Sequence, residues 1–508
     1  MKRIICLFLL VSVLLSVLVA CSNNEQQPGP DSTDAVETEE VTDSDTEGEV
    51  IEYDEKGYQK DKLPDDVNYG GKDVTIFGWT NRFNEFKPDE NATDEVSYQL
   101  FTRNLKVEER FGVTLNWLDA PCDYNNQTSW VTTVQNNAMS GDVLYDIVAG
   151  YSMTSMTLAS QGYLVNLSGC NYIDFSNPWW PNTLVEQASI NGKIYGASGD
   201  IAVSYYDNMY FILMNNDLFD SENVEGDPLK DVKDGKWTLE KMLSYAKNVV
   251  HDANGNGKDS ADTFGFVIKS VTQVDAFVAG ANFKFIDLDT DGIFKISKDI
   301  ENVDKGDKFV STLAGAIHGE NYAWFGNGST DADAMLIDGR ILFYTMTINN
   351  LGRKLNEGLT FDYYILPTPK WNDDQDQYYT NLGFEHTMYG IPNCGLDTDI
   401  SALVIEALAS EGYRTTTPAM YETKVKNRYS GDRSENVEIF ELLRNTTYFE
   451  PTRFLYKVLE SRKVNPISAL RDCVCENSAT WSSKVGALRL GLATYLKDDL
   501  TPAFRSQE

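Results

Sequence analysis

The stretch HDANGNGKDSAD, residues 251–262, alternates Asp and Asn with small residues as a calcium loop does. Set against the twelve-residue pattern, Asp252, Asn254 and Asn256 fill the first, third and fifth positions, Gly257 the sixth and the Lys258 carbonyl the seventh. The closing acid comes one residue early, since Asp262 is the eleventh residue and Thr263 the twelfth. TFGFVI follows at 263–268 and reads as a strand, so a helix, a loop and a strand replace the opening helix pair of a calcium sensor. The expectation is a turn that needs no cofactor, with room for one structural calcium held by Asp252, Asn254, Asn256, Lys258 and Asp262. A second acidic run, DLDTDG at 287–292, has Lys298 where the twelfth-position carboxylate belongs and reads as a hairpin turn.

Other chemistry is sparse. With 77 acidic residues a glycosidase carboxylate pair is available in principle. His251, His318 and His386 stand apart, and the chain holds no HExxH, no GxSxG elbow and no phosphate-binding loop. Cys122, Cys170, Cys394, Cys473 and Cys475 form no CxxC or zinc spacing; Cys473 and Cys475 could serve as a redox pair and are read as two small buried residues. The formal charge of −34 argues against nucleic acid and anionic lipid headgroups as partners.

The elements that would position a site begin with strand and helix in alternation. DVTIFGW (73–79), VTLNWL (113–118) and YDIVAGY (145–151) read as strands, and EVSYQLFTRNLKVEERFG (95–112) and TSWVTTVQNNAMSGD (128–142) as helices, which implies a mainly parallel sheet covered on both faces. Tyr205–Asn215 reads as one long extended run that could leave one lobe and enter another, with YYDN at a hinge. GKWTLEKMLSYAKNVV (235–250) is a helix N-capped by Thr238, with Val250 on its apolar face. STDADAMLIDGRILFYTMT (329–347) reads as helix, turn at Gly339 and strand. From Asp397 the pattern is almost wholly helical. About 440 ordered residues exceed one core, so two lobes are expected.

The N-terminus places Lys2 and Arg3 ahead of an apolar run that ends Leu18-Val19-Ala20-Cys21, a secretory signal. An uncleaved membrane helix is the alternative, disfavoured by the small-residue flank. Thirteen acidic residues and no Lys or Arg fall between Ser22 and Glu55, so residues 21–65 are expected to form a disordered acidic tether.

NPWWPN (177–182), INGKIYGASGD (190–200), ILMNNDLF (212–219), DGKWTLEKM, DANGNGK, FDYYILPTPKW (361–371) and MYGIP (388–392), taken in order with the lipobox-like LVAC, resemble the family 1 extracellular solute-binding proteins. These are maltose-binding-protein-like receptors of carbohydrate ABC importers, and the resemblance is to the long clostridial type. It implies an α/β periplasmic-binding fold of type II with an interdomain ligand cleft and hinge. The signal peptide would be 1–20, the N-lobe 66–207 and 388–447, and the C-lobe 208–387 and 448–508. Cys21 would be lipidated, leaving a monomer on the extracellular face of the cell membrane, in contact with the membrane through its lipid anchor only. Its partners would be a carbohydrate and the permease subunits, and no bond would be made or broken. The alternatives are a surface-anchored carbohydrate-active enzyme and a receptor for a non-sugar solute. Sugar sites need aromatic faces and planar hydrogen-bonding groups. The family's cleft positions fall here on Trp79, Asn81, Arg82, Tyr151, Ser152, Tyr205, Tyr206, Asp207, Asn208, Asn349, Asn350 and Glu385, with Trp481 as a further platform. Trp179 and Trp180, as neighbours in a strand, would face opposite ways and are assigned to packing.

Overall fold

A computed structural model describes residues 51–505 apart from Asp142, Thr290, Gly395, Leu396 and Asp432. The signal, Cys21 and the tether to residue 50 lie outside the described residues. The first sheet has four strands in the order Thr387–Gly390, Ile147–Tyr151, Lys72–Trp79, Val113–Ala120. Lys72–Trp79 runs parallel to both neighbours, and Thr387–Gly390 closes the edge antiparallel. Parallel neighbours require crossovers, and helix Glu95–Phe111 supplies the first. Asp94 caps it by accepting from the Ser97 amide at 3.0 Å. Val96, Leu100, Val107 and Phe111 are its buried stripe, and Gly112 ends it at φ 60°, a conformation that costs other residues strain.

The second sheet is mixed. Its order is Tyr363–Leu366, Tyr210–Asn215, Ile341–Thr347, Thr263–Ile268, Val250–His251, with Ala323–Phe325 also beside Thr263–Ile268. Tyr210–Asn215 is antiparallel to both neighbours, while Ile341–Thr347 is parallel to Thr263–Ile268. The chain passes from the first sheet to the second at Asn208–Met209 and returns at Leu382–His386. A third link, Thr447–Tyr448, pairs with Thr380–Asn381 before the last helices join the second sheet's side. DLDTDG is the turn of a hairpin between Ile286–Leu288 and Phe294–Ile296.

Four expectations need correction. The run from Tyr205 to Asn215 is not one strand: Val203–Asp207 is a short helix, and the strand starts at Tyr210. The buried Glu85 carboxylate accepts from the Ser204 amide at 3.1 Å and so caps that turn from a distant part of the chain. Helix 235–250 is shorter, spanning Leu239–Ala246, because the Asn248 side-chain Nδ2 takes the Ser244 carbonyl at 3.0 Å while its backbone N–H turns to Tyr245; Val250 then becomes an exposed edge-strand residue. Trp179 and Trp180 are in a turn and do not diverge, since both indole nitrogens donate to Glu406, at 3.0 and 2.9 Å. The tether does not reach residue 65: Leu63 is buried and Asp61 bonds Arg110 at 2.9 Å and Arg414 at 3.0 Å. Among the described residues no helix is long and apolar enough to cross a membrane.

Candidate functional site

Where the strand Ile147–Tyr151 ends, the second sheet and the three links come within reach of one another, and a cavity of about 300 Å³ opens there. Tyr151 comes from the first sheet, Asn208 from the outgoing link and Tyr210 from the start of the second-sheet strand it feeds. Gly383, Phe384 and Glu385 come from the return, and Arg453 from the third link. Thr272 and Asp275 belong to helix Val271–Gly280, whereas Thr347, Asn349, Asn350 and Arg353 start helix Ile348–Glu357. The Thr347 hydroxyl caps that helix by accepting from the Asn350 amide at 3.3 Å, which fixes both asparagines at the cavity edge. Tyr151, Tyr210 and Phe384 offer ring surface; the amides, hydroxyls and charges offer donors and acceptors in several directions.

An ionic cluster forms the floor. Asp275 has a side chain 2% exposed and accepts from Arg471 Nε at 2.7 Å, and it is bonded further by Arg471 Nη2 and Arg453 Nη1. Burial pushes its carboxyl up, but the charges of Arg471 and Arg453 outweigh this and hold it below the usual carboxylate range. Arg453 also donates to the Leu382 carbonyl at 2.8 Å and lies 4.1 Å over the Phe384 ring, so the same guanidinium fixes both the return link and one wall. Ser152 Oγ donates to the Phe384 carbonyl at 2.7 Å from the opposite lobe. Behind the return link, burial pushes His386 down to about 4, helped by Arg453 and Arg82, and its Nδ1 bonds the Gly383 carbonyl at 2.7 Å. His386 is therefore a neutral fixture of the link.

Of the residues expected to bind ligand, the structure brings Tyr151, Asn208, Asn349, Asn350 and Glu385 to the cavity wall. Trp79 is buried behind it, donating to Thr387 Oγ1 at 3.0 Å and standing edge-on to Tyr151 at 5.6 Å, so it orients that tyrosine instead of offering a face. Asn81 is spent on the Cys122 amide at 3.2 Å. Arg82 stands between Asp207 at 3.6 Å and Glu385 at 3.8 Å, on the rim. Tyr205 and Tyr206 turn away because the helical turn directs them elsewhere: the first bonds Thr447 at 2.8 Å, the second Asp200, and both line a separate 340 Å³ crevice with Arg444. Trp481 is not a platform. It is fully buried against the edges of Phe283 and Phe285, where a Cβ on Gly306 would overlap its ring.

Sequence reasoning missed Tyr210, Thr272, Asp275, Thr347, Arg353, Phe384 and Arg453. One signal was present: Asp275 is the only charged residue in the helix VTQVDAFVAG, and an acid there needs a partner. In the loop 252–262 the oxygens serve the loop itself. Asp252 accepts from the amides of Asn254, Gly255 and Gly257, and Asp262 from those of Ala253 and Asp259. Asn254 and Asn256 both donate to Asp259, at 3.0 and 2.8 Å. Lys258 extends its ammonium to the carbonyls of Ile317, Glu320 and Ala323 at 2.8–3.1 Å. Among the described residues no group of three or more His, Cys, Asp or Glu is placed to hold a metal.

No protein-family model and no curated protein matches this chain. Solved structures do match in fold. The GacH receptor of Streptomyces glaucescens, described unliganded and with acarbose, aligns with a TM-score of 0.53 at 13% identity over 84% of this chain and 99% of its own. An ABC substrate-binding protein from Listeria monocytogenes in complex with cycloalternan aligns at 0.52 and 13% identity, over 83% and 98%. The galacto-N-biose/lacto-N-biose I-binding protein of the ABC transporter from Bifidobacterium longum, in complex with lacto-N-biose, aligns at 0.56 and 10% identity, over 84% and 98%. At these identities the likeness is one of fold, a two-lobed α/β architecture shared over nearly the whole length of each relative.

Proposed function

We propose that this chain is the extracellular substrate-binding component of an ABC importer, taking an oligosaccharide or sugar derivative between its two lobes and presenting it to a permease. The observation that carries this reading is the cavity itself, which draws its wall from the first sheet, the second sheet and every link between them. A ligand seated there touches both lobes at once, so its binding energy favours the closed arrangement over the open one. The fold neighbours are binding proteins of ABC transporters with sugars in their descriptions, which supports the same reading. In this reading the lobes are 66–207 with 388–447 and 208–387 with 448–508, the first also taking in the packed segment around Asp61 and Leu63. Diacylation at Cys21 would hold the monomer on the outer face of the cell membrane by its lipid anchor.

Catalysis finds little support at this site. Among the described residues Asp275 and Glu385 are the only carboxylates on the cavity wall, and two guanidiniums favour the ionised form of Asp275. A glycosidase needs one carboxyl held protonated at neutral pH as general acid, the reverse of that environment. The 252–262 loop is read as a turn held by its own hydrogen bonds, with no cofactor. Equilibrium binding to a panel of glycans, run beside an assay for products, tests the function. Saturable binding with unchanged ligand supports the receptor, and any accumulating product removes it. A bound sugar at 100 times its Kd should stabilise the native state by about 2.7 kcal/mol.

A further inference from the structure

We infer that the cleft selects an anionic glycan, a uronic-acid-containing oligosaccharide whose carboxylate is received by Arg353; this rests on the sugar-receptor reading above. The argument begins with charge. Two arginines converge on the single carboxylate of Asp275. On the rim, Arg82 meets Asp207 and Glu385 only at 3.6 and 3.8 Å, beyond hydrogen-bond reach, and Lys424 approaches Asp207 at 3.9 Å. Among the described residues Arg353 has no carboxylate within 4 Å, and its side chain bonds only the neutral Asn350 side chain. Cations thus exceed anions around this cleft, in a chain whose formal charge is −34. So acidic a protein repels anions at long range, and local cations at a cleft reverse that only where the ligand is to sit.

Geometry points the same way. Arg353 lies in the second turn of helix Ile348–Glu357, whose N-terminal end opens on the cavity through Thr347 and Asn349. Its exposed guanidinium keeps a planar fork of donors for a carboxylate, with the helix end adding a favourable field. Arg453 and Arg471 are committed to Asp275 and set the potential without making the contact. Tyr151 and Tyr210 line the wall on which a pyranose would rest, and the Asn349 side chain is there for its hydroxyls, whereas the Asn208 NH₂ is spent on the Ser204 and Glu385 carbonyls at 2.9 and 2.8 Å. Glu385, two-thirds exposed, is the one acid that would oppose the ligand.

The test is calorimetric titration of the full chain with uronate di- and trisaccharides, with neutral hexose oligomers of the same length, and with a sugar-free dicarboxylate. The expected result is uronate binding at least about 10-fold tighter than the neutral oligomer and weakened by added salt. Arg353→Gln should weaken uronate binding by roughly 10- to 30-fold, a larger factor than any change it makes to neutral binding. Glu385→Gln should tighten uronate binding. If Arg353→Gln does not fold, Arg353→Lys, which keeps the charge and loses the fork, should show an intermediate loss. Neutral oligomers binding as tightly as uronates would overturn the inference and leave the receptor reading standing. Binding of the dicarboxylate alone, or of nothing in the panel, would overturn both.

Discussion

Replacing Asp275 with Asn keeps the shape of the cleft floor and removes its only fully buried counter-charge. The carboxylate is 2% exposed, and the Arg453 and Arg471 side chains are 9% and 8% exposed, so neither guanidinium can turn to water when the charge is lost. The amide also brings an NH₂ group toward donors that previously met oxygen. Breaking a buried pair from one side costs about 3–5 kcal/mol, a large fraction of the 5–15 kcal/mol typical of a folded protein. Urea unfolding followed by tryptophan fluorescence at pH 7 reads this directly. The sign of the pH dependence follows from the depressed carboxyl of Asp275. Its contribution is fully present above the unfolded value near 4 and is lost as pH falls through the lower native value. The gap between wild type and Asp275→Asn should therefore stay constant from about pH 5 to 8 and close below about pH 4. A triple variant, Asp275→Leu with Arg453→Met and Arg471→Met, removes every charge and should be more stable than the single one. A loss below about 1 kcal/mol for Asp275→Asn, or a triple variant worse than the single, would refute the claim that the two arginines depend on this acid.

Burial pushes Glu406 up to about 8 against the pull of two indoles and Asn177, so its native state should lose stability as pH rises from about 4.5 toward 8. Glu406→Gln should flatten that slope while costing about 1–3 kcal/mol at pH 5, because the Trp180 N–H loses its acceptor; denaturant midpoints across pH check both. Trp481→Ala should cost about 3–5 kcal/mol in the same assay and leave glycan affinity unchanged, since the ring packs in the core away from the cleft. Adding calcium or a chelator should leave the melting temperature unmoved, and Lys258→Met should lower stability by about 2 kcal/mol through three stranded carbonyls; a calcium-dependent rise would instead establish a bound ion at residues 252–262.

Much of the scaffold was legible because its signals are local. Apolar runs marked Lys72–Trp79, Val113–Ala120 and Ile147–Tyr151, and a cap, a glycine and a hairpin turn marked Thr238, Gly112 and DLDTDG. The helical turn at Val203–Asp207 was illegible because its cap is Glu85, 119 positions away. That one turn sends Tyr205 and Tyr206 out of the expected cleft. The floor was illegible for a similar reason: Asp275 lies 178 and 196 positions from its two arginines, so no spacing rule joins them. The cleft residues that were legible, Tyr151, Asn208, Asn349, Asn350 and Glu385, sit at strand ends and links, where topology alone predicts an opening.

Asp61 is clasped by Arg110 from one helix and Arg414 from another, with Ser410 donating to it at 2.7 Å, and all three partners belong to the first sheet's side of the molecule. With Cys21 anchored as proposed, a pull arriving at residue 51 would enter the molecule through that lobe, and its path would not cross the links at Asn208 or Leu382.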